Sequence, residues 1–187
     1  MGSKIDKVVW RPVKEEELEM VMNWRMMPEI TRYMYTDPQL TIEQQRAWYQ
    51  NSKEDKNNEI FMIEVNGVPA GILNITDIDH RNQRCSWGYY MAVKELRSLE
   101  LAMMLEWNVY DYAFYQKGLH KVAGEIFSFN KAVLRIHRMC GSVVEGELKE
   151  HICKNGEFYD VTVTGITRDQ WEKIKEKFDY QTVEILP

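Results

Sequence analysis

No apolar run in this sequence approaches the roughly 18–20 residues that a helix needs to cross a bilayer, so no membrane span is expected. The start lacks an apolar stretch as well. Met1-Gly2-Ser3-Lys4-Ile5-Asp6 gives no secretory signal, and Asp6 and Lys7 stand where a myristoylation motif wants Ser or Thr. Cysteine is scarce: Cys85, Cys140 and Cys153 are odd in number and far apart, with no CxxC pair. That spacing supports neither a disulfide framework nor a zinc site. The expectation is three reduced thiols in a cytoplasmic protein without a metal. Positive charge is not in excess; the net charge of −5 offers no basic patch for nucleic acid. Repeats and low-complexity linkers are also missing. The 187 residues, 44 % hydrophobic and so able to build a sizeable core, read as one domain spanning 1–187.

What is present is organised around Cys85 to Gly141. Cys85-Ser86-Trp87-Gly88-Tyr89-Tyr90-Met91 reads as a strand. After Lys94-Glu95-Leu96-Arg97-Ser98, an apolar face recurs at Leu101, Met104, Leu105, Val109 and Tyr112, which is helix spacing to near Phe114. Lys121–Phe127 reads as a strand and Asn130–Cys140 as a helix closed by Gly141. A strand that feeds a helix leaves the first backbone N–H groups unpaired with the helix dipole behind them, which suits an anion.

The remaining elements follow from local signals. Val8–Pro12 is a strand stopped by proline. Glu15–Met26 is a helix with Glu15, Glu16 and Glu17 in its first turn, ended by Pro28. Thr41 with Gln44 three residues on opens a helix to about Asn51, and Ser52–Asn58 is a loop. Asn66-Gly67 joins strands Glu59–Val65 and Val68–Ile75, and Asn155-Gly156 joins Glu147–Cys153 and Glu157–Thr164, because both turn positions accept positive φ. Thr167–Phe178 closes the chain with a helix. The order predicts an α/β fold, a mixed and mostly antiparallel sheet with helices on both faces.

The stretch Arg97-Ser98-Leu99-Glu100-Leu101-Ala102 resembles the Gln/Arg-x-x-Gly-x-Gly/Ala cofactor motif of the GNAT superfamily of N-acetyltransferases. Glu100 departs from it by standing where a glycine is expected. Ala113-Phe114, Gly118-Leu119-His120-Lys121, Asn130 and Gly141 keep the same register. Glu145–Lys149 and Asn155–Asp160 resemble the paired C-terminal strands of the ribosomal-protein-acetylating branch. Asn23–Ile30 with Tyr33-Met34-Tyr35 is similar to enzymes that acetylate a UDP-linked 4-amino-4,6-dideoxy-N-acetyl-altrosamine on the way to pseudaminic acid. The resemblance implies an acyl-CoA N-acyltransferase fold and acetyl-CoA as cosubstrate. It implies direct transfer to the amine of a UDP-amino sugar in a ternary complex. A protein N-terminus or a polyamine is the alternative acceptor, and a catalytically degenerate acyl-CoA-binding protein the rival from another class. The expected partner is a small-molecule amine, with no nucleic acid and no membrane; a homodimer is the assembly considered.

By resemblance, backbone N–H groups of Met91, Ala92 and Val93 hold the thioester and pantetheine, Arg97–Ala102 takes the pyrophosphate, and Asn130 contacts the cofactor. Asn130 also suits a helix N-cap on structural grounds, and Arg97 has planar donors for phosphate. His137, seven residues after Asn130, stands where the superfamily usually has a tyrosine beside the CoA sulfur. It is a candidate general acid; the competing reading is a hydrogen-bonded core histidine among Val133, Ile136 and Cys140. Ser86 occupies the position of a glutamate base in related enzymes and could orient a water. Glu125 shares a strand face with Ala123 and Phe127 and is a second candidate base, against a solvated ion pair. Asp77 and His80 lie in an Asp-rich turn and are weaker candidates for the substrate amine. Trp24, Arg25, Arg32, Tyr33 and Met34 are candidate acceptor-pocket residues, since arginines and aromatic faces suit a diphosphate and a base; the alternative for Trp24 and Tyr33 is the core.

Overall fold

A computed structural model describes residues 5–187, so the reading of Met1–Lys4 lies outside the described residues. The chain forms two compact units. The first comprises residues up to Thr76, Gly88–Arg97 and Glu184–Pro187; the second comprises Asp77–Trp87 and Ser98–Val183.

In the first unit β1 (Val8–Arg11) pairs antiparallel with β2 (Glu59–Val65) and parallel with the two-residue β8 (Glu184–Ile185). A 3-10 turn at Glu15–Glu17 runs into α1 (Leu18–Arg25). Pro28 ends that helix as expected but also opens α2 (Pro28–Thr31), because a proline at the first helical position lacks only an N–H that would be unpaired anyway. The Thr41 cap is present with both of its reciprocal bonds to Gln44, and α3 (Ile42–Glu54) continues one turn past Asn51. β2 and β3 (Val68–Asp79) form the expected hairpin, with Asn66 and Gly67 at φ of 51° and 80°. The core of this unit gathers Val13, Leu18, Val21, Trp24, Ile30, Met62, Ile72 and Ala92. Arg11 is pinned beside it by a two-pronged hydrogen bond to Glu17 at 2.7 and 2.9 Å and by Glu64 at 2.8 Å.

Strands β3 and β4 (Arg84–Met91) run from one unit into the other. In the second unit β4 pairs in parallel with β5 (Lys121–Phe127) over Arg84–Ser86 and Lys121–Ala123. Beyond β5 lie β7 (Glu157–Thr167) and β6 (Val143–Lys154), each pair antiparallel. The strand order is therefore β6-β7-β5-β4-β3-β2-β1-β8, with helices flanking the sheet. β6 starts at Val143, before the expected Glu147, and β8 carried no sequence signal.

Helix α4 (Leu99–Asp111) is capped by Ser98, whose hydroxyl accepts the Leu101 N–H at 3.1 Å. It passes into a π-helical turn at Tyr112–Gln116. Asp111, at the end of α4, accepts hydrogen bonds from Trp171 Nε1 of α6 (Arg168–Ile174), Lys175 Nζ and Tyr180 OH at 2.7–2.9 Å. One carboxylate thus anchors the last helix to α4. α5 (Lys131–Met139) has Asn130 as its N-cap.

Candidate active site

Strand alternation sorts the candidate side chains of the second unit. Ser86 and Trp87 are consecutive on β4 and so point to opposite faces. Trp87 meets the His137 ring edge-on, with centroids 5.6 Å apart and planes at 84°. Ser86 lies opposite Ala123 in the β4–β5 register, and Glu125 follows Ala123 on the same face. His137 and Trp87 therefore share one face, and Ser86, Ala123 and Glu125 the other. Glu125 is exposed and Ser86 half-buried. Attack by an amine and departure of a thiolate both take place at the carbonyl carbon, so a base on the face opposite the acid has to act through water.

His137 is only 7 % exposed, and it is not packed solely against apolar neighbours. Its Nδ1 lies 2.8 Å from Oε1 of Glu106, a carboxylate 1 % exposed on α4. The Tyr110 hydroxyl, one turn further along α4, donates to the same oxygen. Cys140 and Ser142 complete the cluster, all of it buried. Burial raises the Cys140 thiol far above its ordinary range, and the Glu106 carboxylate raises it further. Burial and Glu106 act in the same direction on the Tyr110 phenol. Both groups stay neutral, and Cys140 is no nucleophile at ordinary pH.

The apolar spacing along α4 does not single out Glu106. Residues 104–110 are buried all round the helix, so a carboxylate among them must have partners. The i, i+4 spacing of Glu106 and Tyr110 was the available signal.

The cofactor candidates are arranged as follows. Ala92 and Val93 both donate their N–H groups to the Ala70 carbonyl, at 2.7 and 3.2 Å. Since the N–H of Ala92 faces β3, alternation turns the N–H and C=O of Met91 to the other edge of β4. The Arg97 guanidinium donates to the Met91 carbonyl at 2.9 Å and to the Ala92 carbonyl at 3.3 Å, holding the turn after β4. At the start of α4, intrahelical bonding begins with Ala102 N–H to the Ser98 carbonyl, and Ser98 Oγ caps Leu101. That leaves Leu99 and Glu100 with first-turn amides outside the helix ladder. The Glu100 side chain is exposed rather than folded beneath the turn.

Among the acceptor candidates, Trp24 is core. Arg25 is half-buried; it donates to the Thr36 hydroxyl at 2.8 Å and lies close enough to Tyr90 and Asp37 to interact with both. Arg32 is exposed, its guanidinium 5.6 Å from the centre of the Tyr33 ring, and Met34 packs at the edge of the core cluster. Asp77, with φ of 52°, and His80 are exposed in the second unit. Among the described residues no group of three or more His, Cys, Asp or Glu could hold a metal, and no helix is long and apolar enough to cross a membrane.

The profile of the acetyltransferase (GNAT) domain matches residues 7–143. The spermidine N(1)-acetyltransferase of Escherichia coli K12 is 25 % identical over 148 residues, 79 % of each chain. The acetyltransferase PseH of Campylobacter jejuni is 21 % identical over 143 residues, 75 % of this chain and 87 % of that one. Among solved structures, spermidine N-acetyltransferase from Vibrio cholerae in complex with CoA and spermine has a TM-score of 0.82 at 20 % identity, covering 89 % of this chain and 98 % of that one. The superfamily resemblance is thereby borne out. The narrower sugar-nucleotide resemblance is matched at lower identity than the polyamine one.

Proposed function

The chain belongs to the GNAT acetyltransferase family and is an acetyl-CoA-dependent N-acetyltransferase, and from that premise we propose that its acceptor is the amine of a UDP-linked 4-amino-4,6-dideoxy sugar. The observation that carries the choice is the charge around Trp24–Asp37. Its carboxylates sit beside cations: Glu29 is 3.0 Å from Lys94, and Asp37 neighbours Arg25. A polycation finds its charge already answered there. Arg32, exposed against Tyr33, instead offers a guanidinium and an aromatic face to a diphosphate and a base.

Acetyl-CoA brings an activated thioester. The first-turn amides of Leu99 and Glu100 suit its pyrophosphate, the outward N–H of Met91 its pantetheine arm, and Asn130 a further polar contact. The outward Glu100 side chain is compatible with this. The neutral amine attacks the carbonyl carbon and the C–S bond breaks. The surplus amine proton leaves through water toward Glu125, with Ser86 orienting that water. The departing sulfur takes the proton on Nε2 of His137, giving an amide and CoA thiol.

A second reading, a polyamine acceptor, is favoured by the similarity to spermidine acetyltransferases. Initial rates with acetyl-CoA against a UDP-4-amino sugar and against spermidine decide between them. The proposal expects kcat/KM at least ten times higher for the sugar nucleotide; a higher value for spermidine overturns it in favour of the second reading. Arg32→Ala is expected to raise KM for the sugar nucleotide and leave KM for acetyl-CoA unchanged.

A further inference from the structure

We propose that Glu106 is a positioning residue: its buried carboxylate fixes the His137 ring so that Nδ1 holds a proton toward Glu106 and Nε2 is the nitrogen that exchanges protons with the reacting sulfur. The proposal rests on the reading of His137 as general acid and adds the device that sets it.

A neutral imidazole carries one proton on either of two nitrogens, and the partner of one nitrogen determines the role of the other. Here Nδ1 lies 2.8 Å from a carboxylate oxygen that is 1 % exposed. Where Glu106 is ionised it is an acceptor only, and Nδ1 is then the donor. Tyr110 donates to the same Oε1, which keeps that oxygen in the acceptor role. Burial and Glu106 together also hold the Tyr110 phenol and the Cys140 thiol in their protonated forms, so neither competes as a base for the Nδ1 proton. The Trp87 ring meets the imidazole edge-on and limits its rotation. Cys140 and Ser142 follow α5 closely, and the Ser142 N–H bonds the His137 carbonyl at 2.9 Å, which fixes the backbone beneath the ring.

The arrangement has a chemical consequence. When His137 carries both protons, the imidazolium and Glu106 form a compensated buried pair. Transfer of the Nε2 proton to the thiolate leaves a neutral imidazole that is already the Nδ1–H tautomer, still bonded to Glu106. No ring flip or tautomer exchange is needed before the next proton arrives at Nε2.

Histidine-selective ¹⁵N labelling tests this. The chain has four histidines, and the signal lost in His137→Phe assigns the one of interest. In the wild-type protein, at a pH where His137 is neutral, Nδ1 is expected to be protonated and Nε2 bare; the opposite tautomer overturns the proposal. Glu106→Gln keeps the shape of the side chain but can donate as well as accept. It is expected to abolish the Nδ1–H preference and lower kcat by at least tenfold, with both KM values within twofold. A folded Glu106→Gln enzyme with wild-type kcat overturns the proposal, and if that variant does not fold, the wild-type tautomer decides alone. Failure of the underlying reading is separately visible. If His137→Phe turns over within threefold of wild type, His137 is not the acid, whatever tautomer it holds.

Discussion

His137→Phe removes the proposed acid while keeping a ring beside Trp87. General acids contribute about 10²–10⁴-fold, and a thiol with an ordinary value of roughly 8.5 leaves without much help. The expected loss in kcat is therefore near 10²-fold, with acetyl-CoA affinity by calorimetry unchanged. Glu100→Gly is expected to leave that affinity unchanged or improve it, since it deletes an exposed negative charge at the mouth of the helix where phosphates are proposed to sit. Thiol chemistry separates the cysteines. Cys85 and Cys140 are buried and Cys153 exposed, so brief treatment with iodoacetamide followed by mass spectrometry should label Cys153 first. At this scale the sequence showed residue types without their partners. It pointed to His137 through its offset from Asn130, but the Glu106 contact depends on how α4 and α5 pack, which no local spacing encodes. Ser86 and Glu125 shared a face for a reason of register that was equally out of reach before β4 and β5 were paired.

The elements themselves were more legible, because caps and turns are local chemistry. Thr41 with Gln44, Asn130 and Asn66-Gly67 each marked a boundary within a residue or two. What escaped lies where tertiary contact decides: the π-helical turn after Asp111, the early start of β6, and β8, whose two residues exist as a strand only because β1 is beside them. Gly71 on β3 shows the same dependence. A Cβ there would come 2.0 Å from the Tyr90 carbonyl oxygen and 3.0 Å from the Met91 Cα, both backbone atoms that cannot move aside alone. Gly71→Ala is expected to cost about 1–3 kcal/mol in urea unfolding, as overpacking does. It should also weaken acetyl-CoA binding, because β4 must shift just where Met91 presents its outer edge. Thr41→Ala, which removes the N-cap of α3, should cost about 1 kcal/mol and leave binding alone.

For the molecule as a whole, the ionisable groups set the pH range of stability. Burial works to raise the Glu17 carboxyl, but the hydrogen bonds from Arg11 and the Lys14 N–H and the charges of Arg11 and Lys14 together outweigh it and hold the group below its ordinary value. The Glu150 N–H and Lys149 lower Asp160, and Lys149 with Ser128 lowers Glu147. A carboxyl depressed in the folded state stabilises above its unfolded value and stops doing so as pH falls through the folded one. At the other end, burial raises Cys140 from 9.0 and Tyr110 from 10.0, so the unfolded chain ionises first and stability falls as pH rises past those values. Urea midpoints should be level between about pH 5 and 8, drop below roughly pH 4, and drop again above about pH 9. A midpoint that keeps rising from pH 9 to 11 would contradict the buried, neutral state of Cys140 and Tyr110.

β8 has a further consequence, for the order in which the protein can be made. The unit that holds β1 is assembled from three separate stretches of chain, the last of which begins at Glu184. During synthesis β1 can find β2 early, but its other edge waits for Glu184 and Ile185 to leave the ribosome. Until then a strand of four buried residues presents an open ladder of amides and carbonyls to any other nascent strand. Chains released by a stop before codon 184 should therefore be recovered mainly with chaperones or in aggregates, even though they carry every residue proposed for the chemistry.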